Sequence, residues 1–166
     1  MVYIRWVDDF WGNCSSIGPY RKLNVRTINE IIVHCSATNC PEYGPKEIRD
    51  DHMIVRGWSD IGYHFVIDPT GVIHEGRNLE RAGAHVRGRN SHSVGICLMG
   101  LDNFTEEQFT SLAVLVRILM KSFGLKEEQV NPHNKYANKL CPNFDLDEWK
   151  ETHLSDGGKK WKQFMN

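Results

Sequence analysis

The chain has 166 residues, a length that fits one domain built around a single hydrophobic core. Hydrophobic residues make up 40% of the sequence and charged residues 25%, which is ordinary for a globular protein. The formal net charge of -1 gives no electrostatic reason to expect nucleic acid or an anionic membrane as a partner. No apolar run approaches the roughly 20 residues that span a bilayer, so we expect neither kind of partner.

The first 28 residues show no periodicity but are rich in aromatic side chains, including Tyr3, Trp6, Phe10 and Trp11. Such a segment is unlike a disordered tail. We interpret it as an arm packed on the domain, with a binding element as the alternative. It lacks a basic segment followed by an apolar stretch, so we recognise no secretory signal and expect synthesis in the cytoplasm.

The cysteines are odd in number, at positions 14, 35, 40, 97 and 141, which excludes complete disulfide pairing within one chain. Cys97 stands in an apolar run and is interpreted as a small core residue. Cys35 and Cys40 could close a short loop if oxidised, although cytosolic thiols normally stay reduced.

The first half of the chain predicts a strand, a helix and a hairpin. The β-branched run within Thr27 to His34 predicts a buried strand. A helix is expected from Pro45, which suits a first helical position, to Gly57. Two β-rich runs, Gly62 to Ile67 and Gly71 to His74, flank a turn and predict a hairpin.

The second half begins with a long glycine-rich loop from Arg77 to His92, of a kind that is commonly functional. Ser93 to Gly100 predicts another buried strand. The next helix has a capping box of Thr105 and Gln108 and ends at Gly124. A last helix begins at Asp145.

Strands that alternate with helices indicate an α/β fold: a single domain with a mixed central sheet and helices on both faces. We assign residues 29–155 to this domain, 1–28 to an N-terminal extension and 156–166 to a loosely held tail.

Three residues could collect a metal ion. His34 ends the first strand, His133 follows Pro132 in a turn, and Cys141 stands shortly after it. Two nitrogen ligands and one sulfur ligand leave one tetrahedral position open for water, as in catalytic zinc sites. Their spacing matches neither the HExxH helix nor a CxxC pair. From the residues alone, a zinc site and three ordinary structural residues both remain open.

Four sequence blocks, taken together, resemble the zinc-dependent N-acetylmuramoyl-L-alanine amidases. The blocks are HCSAT at 34–38, GYHF at 62–65, GAHxxGxNxxSxGI at 83–96, and PH with KxCP within 132–142. They occur in the family's order and cover about residues 29–150. The resemblance is closest to the short phage-lysozyme branch, which shares a fold with animal peptidoglycan recognition proteins. It implies that fold here.

The resemblance implies that His34, His133 and Cys141 bind zinc and that Tyr63 and Lys139 are catalytic. Zinc polarises a carbonyl and makes bound water more acidic. Tyr63 would orient or deprotonate the attacking water, and Lys139 would stabilise the developing oxyanion. Which of the two moves the proton is left open.

In related domains the histidine and asparagine of the glycine-rich block line the peptidoglycan cleft, which implies this role for His85 and Asn90. Arg87 and Arg89 lie nearby in sequence and are candidates for binding stem-peptide carboxylates. His64 could point into the cleft or to the opposite face of the sheet, because side chains alternate along a strand.

The resemblance therefore implies a monomeric zinc hydrolase of the bacterial cell wall. Its substrate would be peptidoglycan or muropeptides, cleaved at the amide between N-acetylmuramic acid and L-alanine. One alternative is a peptidoglycan-binding module that has lost catalysis. Another is a domain that makes protein–protein contacts through residues 1–28.

Overall fold

The computed structural model describes residues 26–40 and 42–154. These residues form a central five-stranded sheet. The strands are β1 (Glu30–Cys35), β2 (Phe65–Ile67), β3 (Ile73–Glu75), β4 (Ser93–Leu98) and β5 (Val130–Pro132). Their order across the sheet is β3-β2-β4-β1-β5. All neighbouring strands are parallel except the β2–β3 hairpin. The mixed sheet predicted from the sequence is thus confirmed.

Among the described residues, three α-helices accompany the sheet: α1 (Pro45–Asp50), α2 (Glu106–Phe123) and α3 (Leu146–His153). The chain continues from α1 into a π-helical stretch, Asp51–Val55. The predicted capping box of α2 is present, and Gly124 ends that helix with a left-handed φ of 67°. No helix within the described ranges is long and apolar enough to cross a membrane.

The sheet is covered on both faces, as expected. On one face, Ile31 and Val33 of β1 pack in a core with α2 and α3. On the other face, Ile48 of α1 packs with Val66 and Cys97. Because side chains alternate along a strand, the residues of β1 next to Val33 point to the α1 face.

Several predicted boundaries were wrong by a few residues. The first strand begins at Glu30 rather than Thr27, because the preceding residues bond to loops instead of a neighbouring strand. The short strand β5 was not predicted. The predicted helix from Pro45 changes hydrogen-bond pattern at Asp51. Cys35 and Cys40 are free thiols. The predicted arm and tail lie largely or wholly outside the described residues.

One buried amide joins α2 to the sheet. Gln108 is completely buried, and its side-chain nitrogen donates to the carbonyl oxygens of Ile67, at 3.1 Å, and Met99, at 2.8 Å. Its side-chain oxygen accepts the backbone N–H of Thr105. The side chain of Gln108 therefore ties the start of α2 to the ends of β2 and β4 and gives the Met99 carbonyl a hydrogen-bond partner.

One buried imidazole joins β2 to β4. His64 is 1% exposed, and its Nδ1 accepts the backbone N–H of Gly95 at 2.9 Å. Its Nε2 lies 3.2 Å from the carbonyl oxygen of Arg81 and 2.7 Å from a guanidinium nitrogen of Arg26. Burial, reinforced by the nearby Arg26 guanidinium, lowers the pKa of His64 to about 4. His64 is therefore neutral in the folded protein at pH 7.

Neutral His64 makes the fold sensitive to acid. The unfolded chain binds the proton near the ordinary histidine pKa of about 6.5, whereas the folded chain binds it only near 4. The free energy of unfolding should therefore fall as the pH drops from about 6.5 to about 4, by up to about 3 kcal/mol from this group.

The variant His64→Asn tests this expectation, because its Oδ1 can still accept from Gly95 N–H but does not titrate. Urea unfolding at a series of pH values should show that the variant is less stable at pH 7. Its stability should also depend less steeply on pH between 6.5 and 4. If the free energy of unfolding had the same pH dependence in both proteins, His64 would not be the group that makes the fold sensitive to acid.

Candidate metal centre

Two histidines meet where adjacent parallel strands end. In the sheet register Val33 of β1 lies opposite Pro132 of β5. The next residue in each case is a histidine. His34 is the penultimate residue of β1 and His133 directly follows β5, so the two side chains lie side by side. Their ring centroids are 4.5 Å apart. Strand pairing alone therefore brings together two residues that are distant in sequence.

Cys141 completes the group from the loop that follows. Its Sγ accepts the backbone N–H of Cys35 at 3.3 Å and lies 3.9 Å from Nδ1 of His34. Its carbonyl oxygen accepts the backbone N–H of Asn134 at 2.8 Å, which ties the loop to the turn carrying His133. One ligand atom from each of His34, His133 and Cys141 falls within 4.8 Å of the others.

The electrostatics of the group favour neutral imidazoles. Burial lowers the pKa of His34 well below its ordinary value, and neighbouring histidines and Lys139 lower it further. Burial and then Lys139 also lower the pKa of His133. Neutral imidazole is the form that binds metal. A hydrogen bond with Cys141 lowers the pKa of the Cys35 thiol to about 7, and the same hydrogen bond raises the pKa of the Cys141 thiol.

The two predicted catalytic residues flank this group. Tyr63 immediately precedes His64 and β2, and its ring centroid is 5.1 Å from that of His34. Burial raises the pKa of the Tyr63 phenol well above its ordinary value. Lys139 is exposed, and its ammonium is close enough to lower the pKa of both histidines. The structure therefore gathers all five residues at one end of the sheet.

The predicted substrate-binding residues occupy different depths of the glycine-rich loop. Arg87 and Arg89 are exposed, whereas His64 is buried beneath the loop. The side-chain oxygen of Asn90 accepts the backbone N–H groups of His85 and Val86, at 2.8 and 2.9 Å. His85 lies against His34, with its Nδ1 3.0 Å from Nε2 of that residue.

One residue that holds the site was not predicted. Glu30, buried at the start of β1, accepts hydrogen bonds from the Tyr136 hydroxyl and the Asn131 side chain. Asn131 and Tyr136 bracket His133, so the carboxylate anchors the turn that presents it. The sequence carried a weak signal, because Glu30 is a charged residue next to the β-branched run of β1.

Comparisons with known proteins match both the fold and the site region. The family model of N-acetylmuramoyl-L-alanine amidase matches residues 24–144. The endolysin of Escherichia phage T7 is 41% identical over 131 residues, which is 73% of this chain and 84% of that protein.

Two solved structures are also similar. The N-acetylmuramoyl-L-alanine amidase LysC from Clostridium intestinale has a TM-score of 0.69 and 34% identity, covering 76% of this chain and 85% of LysC. Wild-type Drosophila PGRP-LB has a TM-score of 0.64 and 27% identity, covering 79% of this chain and 86% of PGRP-LB. The chain belongs to the N-acetylmuramoyl-L-alanine amidase family.

Proposed function

We propose that the chain hydrolyses the amide between N-acetylmuramic acid and L-alanine in peptidoglycan, using a zinc ion held by His34, His133 and Cys141. The observation that carries this proposal is the convergence of the three ligand atoms, with Tyr63 and Lys139 beside them. Cleavage at this amide would separate the glycan strand from its stem peptide.

The donor set fits zinc. It contains two imidazoles and one thiol and no carboxylate. Zinc is commonly bound by such nitrogen and sulfur donors, whereas magnesium and calcium take oxygen ligands. Three protein ligands are the number found in catalytic zinc sites, since structural sites normally use four.

The chain's own residues then divide the chemistry. A bound zinc ion would supply Lewis acidity toward the scissile carbonyl and toward water. The Tyr63 phenol, which is protonated near neutral pH, would donate a hydrogen bond that orients the reacting oxygen. The Lys139 ammonium would stabilise negative charge on the carbonyl oxygen as the amide is attacked. The Lys139 ammonium can also act as a general acid that donates a proton to the leaving amine.

The glycine-rich loop would bind the rest of the substrate. The exposed guanidinium of Arg87 suits a stem-peptide carboxylate, with Arg89 as a neighbouring candidate. Asn90 and His64 would support the substrate-binding loop. The Asn90 side-chain oxygen accepts the backbone N–H of His85 within the loop, and His64 is buried below it. His85 would form the inner wall of the cleft beside His34.

The place of action would be the bacterial cell wall, and we propose that the chain acts there as a monomer. The division into an extension, a catalytic domain over 29–155 and a tail remains part of this proposal. A module that only binds peptidoglycan is the alternative. Such a module has no need for three converging metal ligands. Zinc content and release of stem peptides from muropeptides therefore separate the two functions.

Replacing the sulfur ligand should remove both metal and activity. Cys141→Ser is expected to leave less than a tenth of the zinc found in the unaltered protein and to abolish release of stem peptides from muropeptides. The reason is that a hydroxyl is a poor substitute for thiolate in such a site. Metal analysis and mass spectrometry of the products measure the two effects.

Cys40→Ser is the matched control, since Cys40 is an exposed free thiol that is not a member of the ligand group. It should keep zinc and activity. Equal zinc in Cys141→Ser and the unaltered protein would refute the ligand assignment, and intact muropeptide with the unaltered, zinc-loaded protein would refute hydrolysis.

Removing the Lys139 ammonium should reduce catalysis without affecting metal binding. Lys139→Ala is expected to keep its zinc while kcat falls by about 10²–10³, the usual cost of losing one group that stabilises an oxyanion. Lys121→Ala, at an exposed position on α2, should behave like the unaltered protein. An unchanged kcat in Lys139→Ala would remove this residue from the mechanism.

A further inference from the structure

The ring of His85 lies between His34 and the buried hydroxyl of Ser93. His85 Nδ1 is 3.0 Å from His34 Nε2, and His85 Nε2 is 3.2 Å from Ser93 Oγ. The Ser93 hydroxyl is 2.8 Å from the carbonyl oxygen of Arg89. The two imidazole rings meet edge to face, with their planes 89° apart. A continuous row of polar groups therefore runs from the candidate metal centre into the loop before β4.

The far end of this row decides where its protons lie. The Arg89 carbonyl has no proton, so Ser93 must donate its only hydroxyl proton there. The Ser93 oxygen then accepts from His85 Nε2–H, which leaves Nδ1 of neutral His85 as an acceptor. That nitrogen accepts from His34 Nε2–H. The free lone pair of His34 is consequently on Nδ1, the nitrogen 3.9 Å from Cys141 Sγ.

Two glycines make the space that the His85 ring fills. A Cβ atom on Gly83 would lie 2.4 Å from Cδ2 of His85, and one on Gly95 would lie 2.6 Å from the same atom. Both distances are far inside van der Waals contact, so any other residue at either position would displace the ring. The backbone N–H of His85 is also held, by the side-chain oxygen of Asn90. The ring is therefore fixed by packing as well as by hydrogen bonds.

We propose that His85 is a positioning residue that fixes the tautomer and orientation of His34, so that His34 offers Nδ1 to the metal. This inference rests on the proposed ligand set. Metal-binding histidines usually donate their second ring N–H to a fixed acceptor, and loss of that acceptor typically weakens metal binding 10–100-fold. Here the acceptor is a second imidazole, which Ser93 holds in turn. Both ring nitrogens of His85 are thus engaged within the protein.

The direct test is nitrogen NMR of the zinc-loaded 166-residue chain labelled with ¹⁵N in its histidines. Long-range ¹H–¹⁵N correlations report which ring nitrogen is protonated and which binds metal. We expect His34 to bind zinc through Nδ1 with Nε2 protonated, and His85 to be protonated on Nε2. Zinc on Nε2 of His34, or a proton on Nδ1 of His85, would overturn the inference while leaving the ligand set intact.

Two substitutions of one residue give a second, independent readout. His85→Ala removes the acceptor and should weaken zinc binding about 10–100-fold, measured by competition with a chromogenic chelator. His85→Asn should stay within a few-fold of the unaltered protein, because its Oδ1 branches from the same carbon as Nδ1 of histidine. His74→Ala, on β3, is the control and should not change the affinity.

The outcomes separate this inference from the proposed function. Equal affinities for His85→Ala and the unaltered protein, or equal losses in the Ala and Asn variants, would overturn a positioning role. No zinc binding by the unaltered protein would overturn the ligand set itself. Because the NMR measurement uses the unaltered chain, it decides the question even where His85→Ala fails to fold.

Discussion

The parallel pairing of β1 with β5 is the constraint on which the site depends. It places Val33 opposite Pro132, so that the following histidines emerge together at one edge of the sheet. Because a buried sheet strongly specifies its register, the separation of His34 and His133 is set by the core and not by the loops. The hydrophobic contacts of Ile31 and Val33 with α2 and α3 therefore also stabilise the geometry of the candidate metal centre.

Buried polar groups hold the rest of the site in place through hydrogen bonds. His64 joins β2 to β4, and Glu30 anchors the turn after β5. The row through His85 and Ser93 supports His34 from the loop side. Burying polar groups costs free energy unless they are hydrogen-bonded. Here the hydrogen bonds that offset this cost also fix the positions of the residues around the metal ligands. Such support is usual for metal sites, where neighbouring hydrogen bonds orient the ligands.

Sequence reasoning predicted the sheet, the α2 capping box and the identity of the converging residues, because each has a local or motif signal. It missed β5, whose three residues end in proline and are too short to show a period. It also missed the change to π-helical bonding after Asp50, which depends on how the chain packs. Burial was the hardest property to predict, since His64 and Arg87 are both polar residues predicted to bind substrate but lie at opposite depths.

The central claim is that two imidazoles and one thiolate hold zinc, and X-ray absorption at the zinc edge of the metal-loaded protein tests it most directly. Cys35 is a second buried thiol beside Cys141, so the number of sulfur neighbours is decisive. The account predicts one sulfur at about 2.3 Å, with the remaining neighbours being nitrogen or oxygen at about 2.0–2.1 Å and including two imidazoles. Two sulfur neighbours, or none, would contradict it.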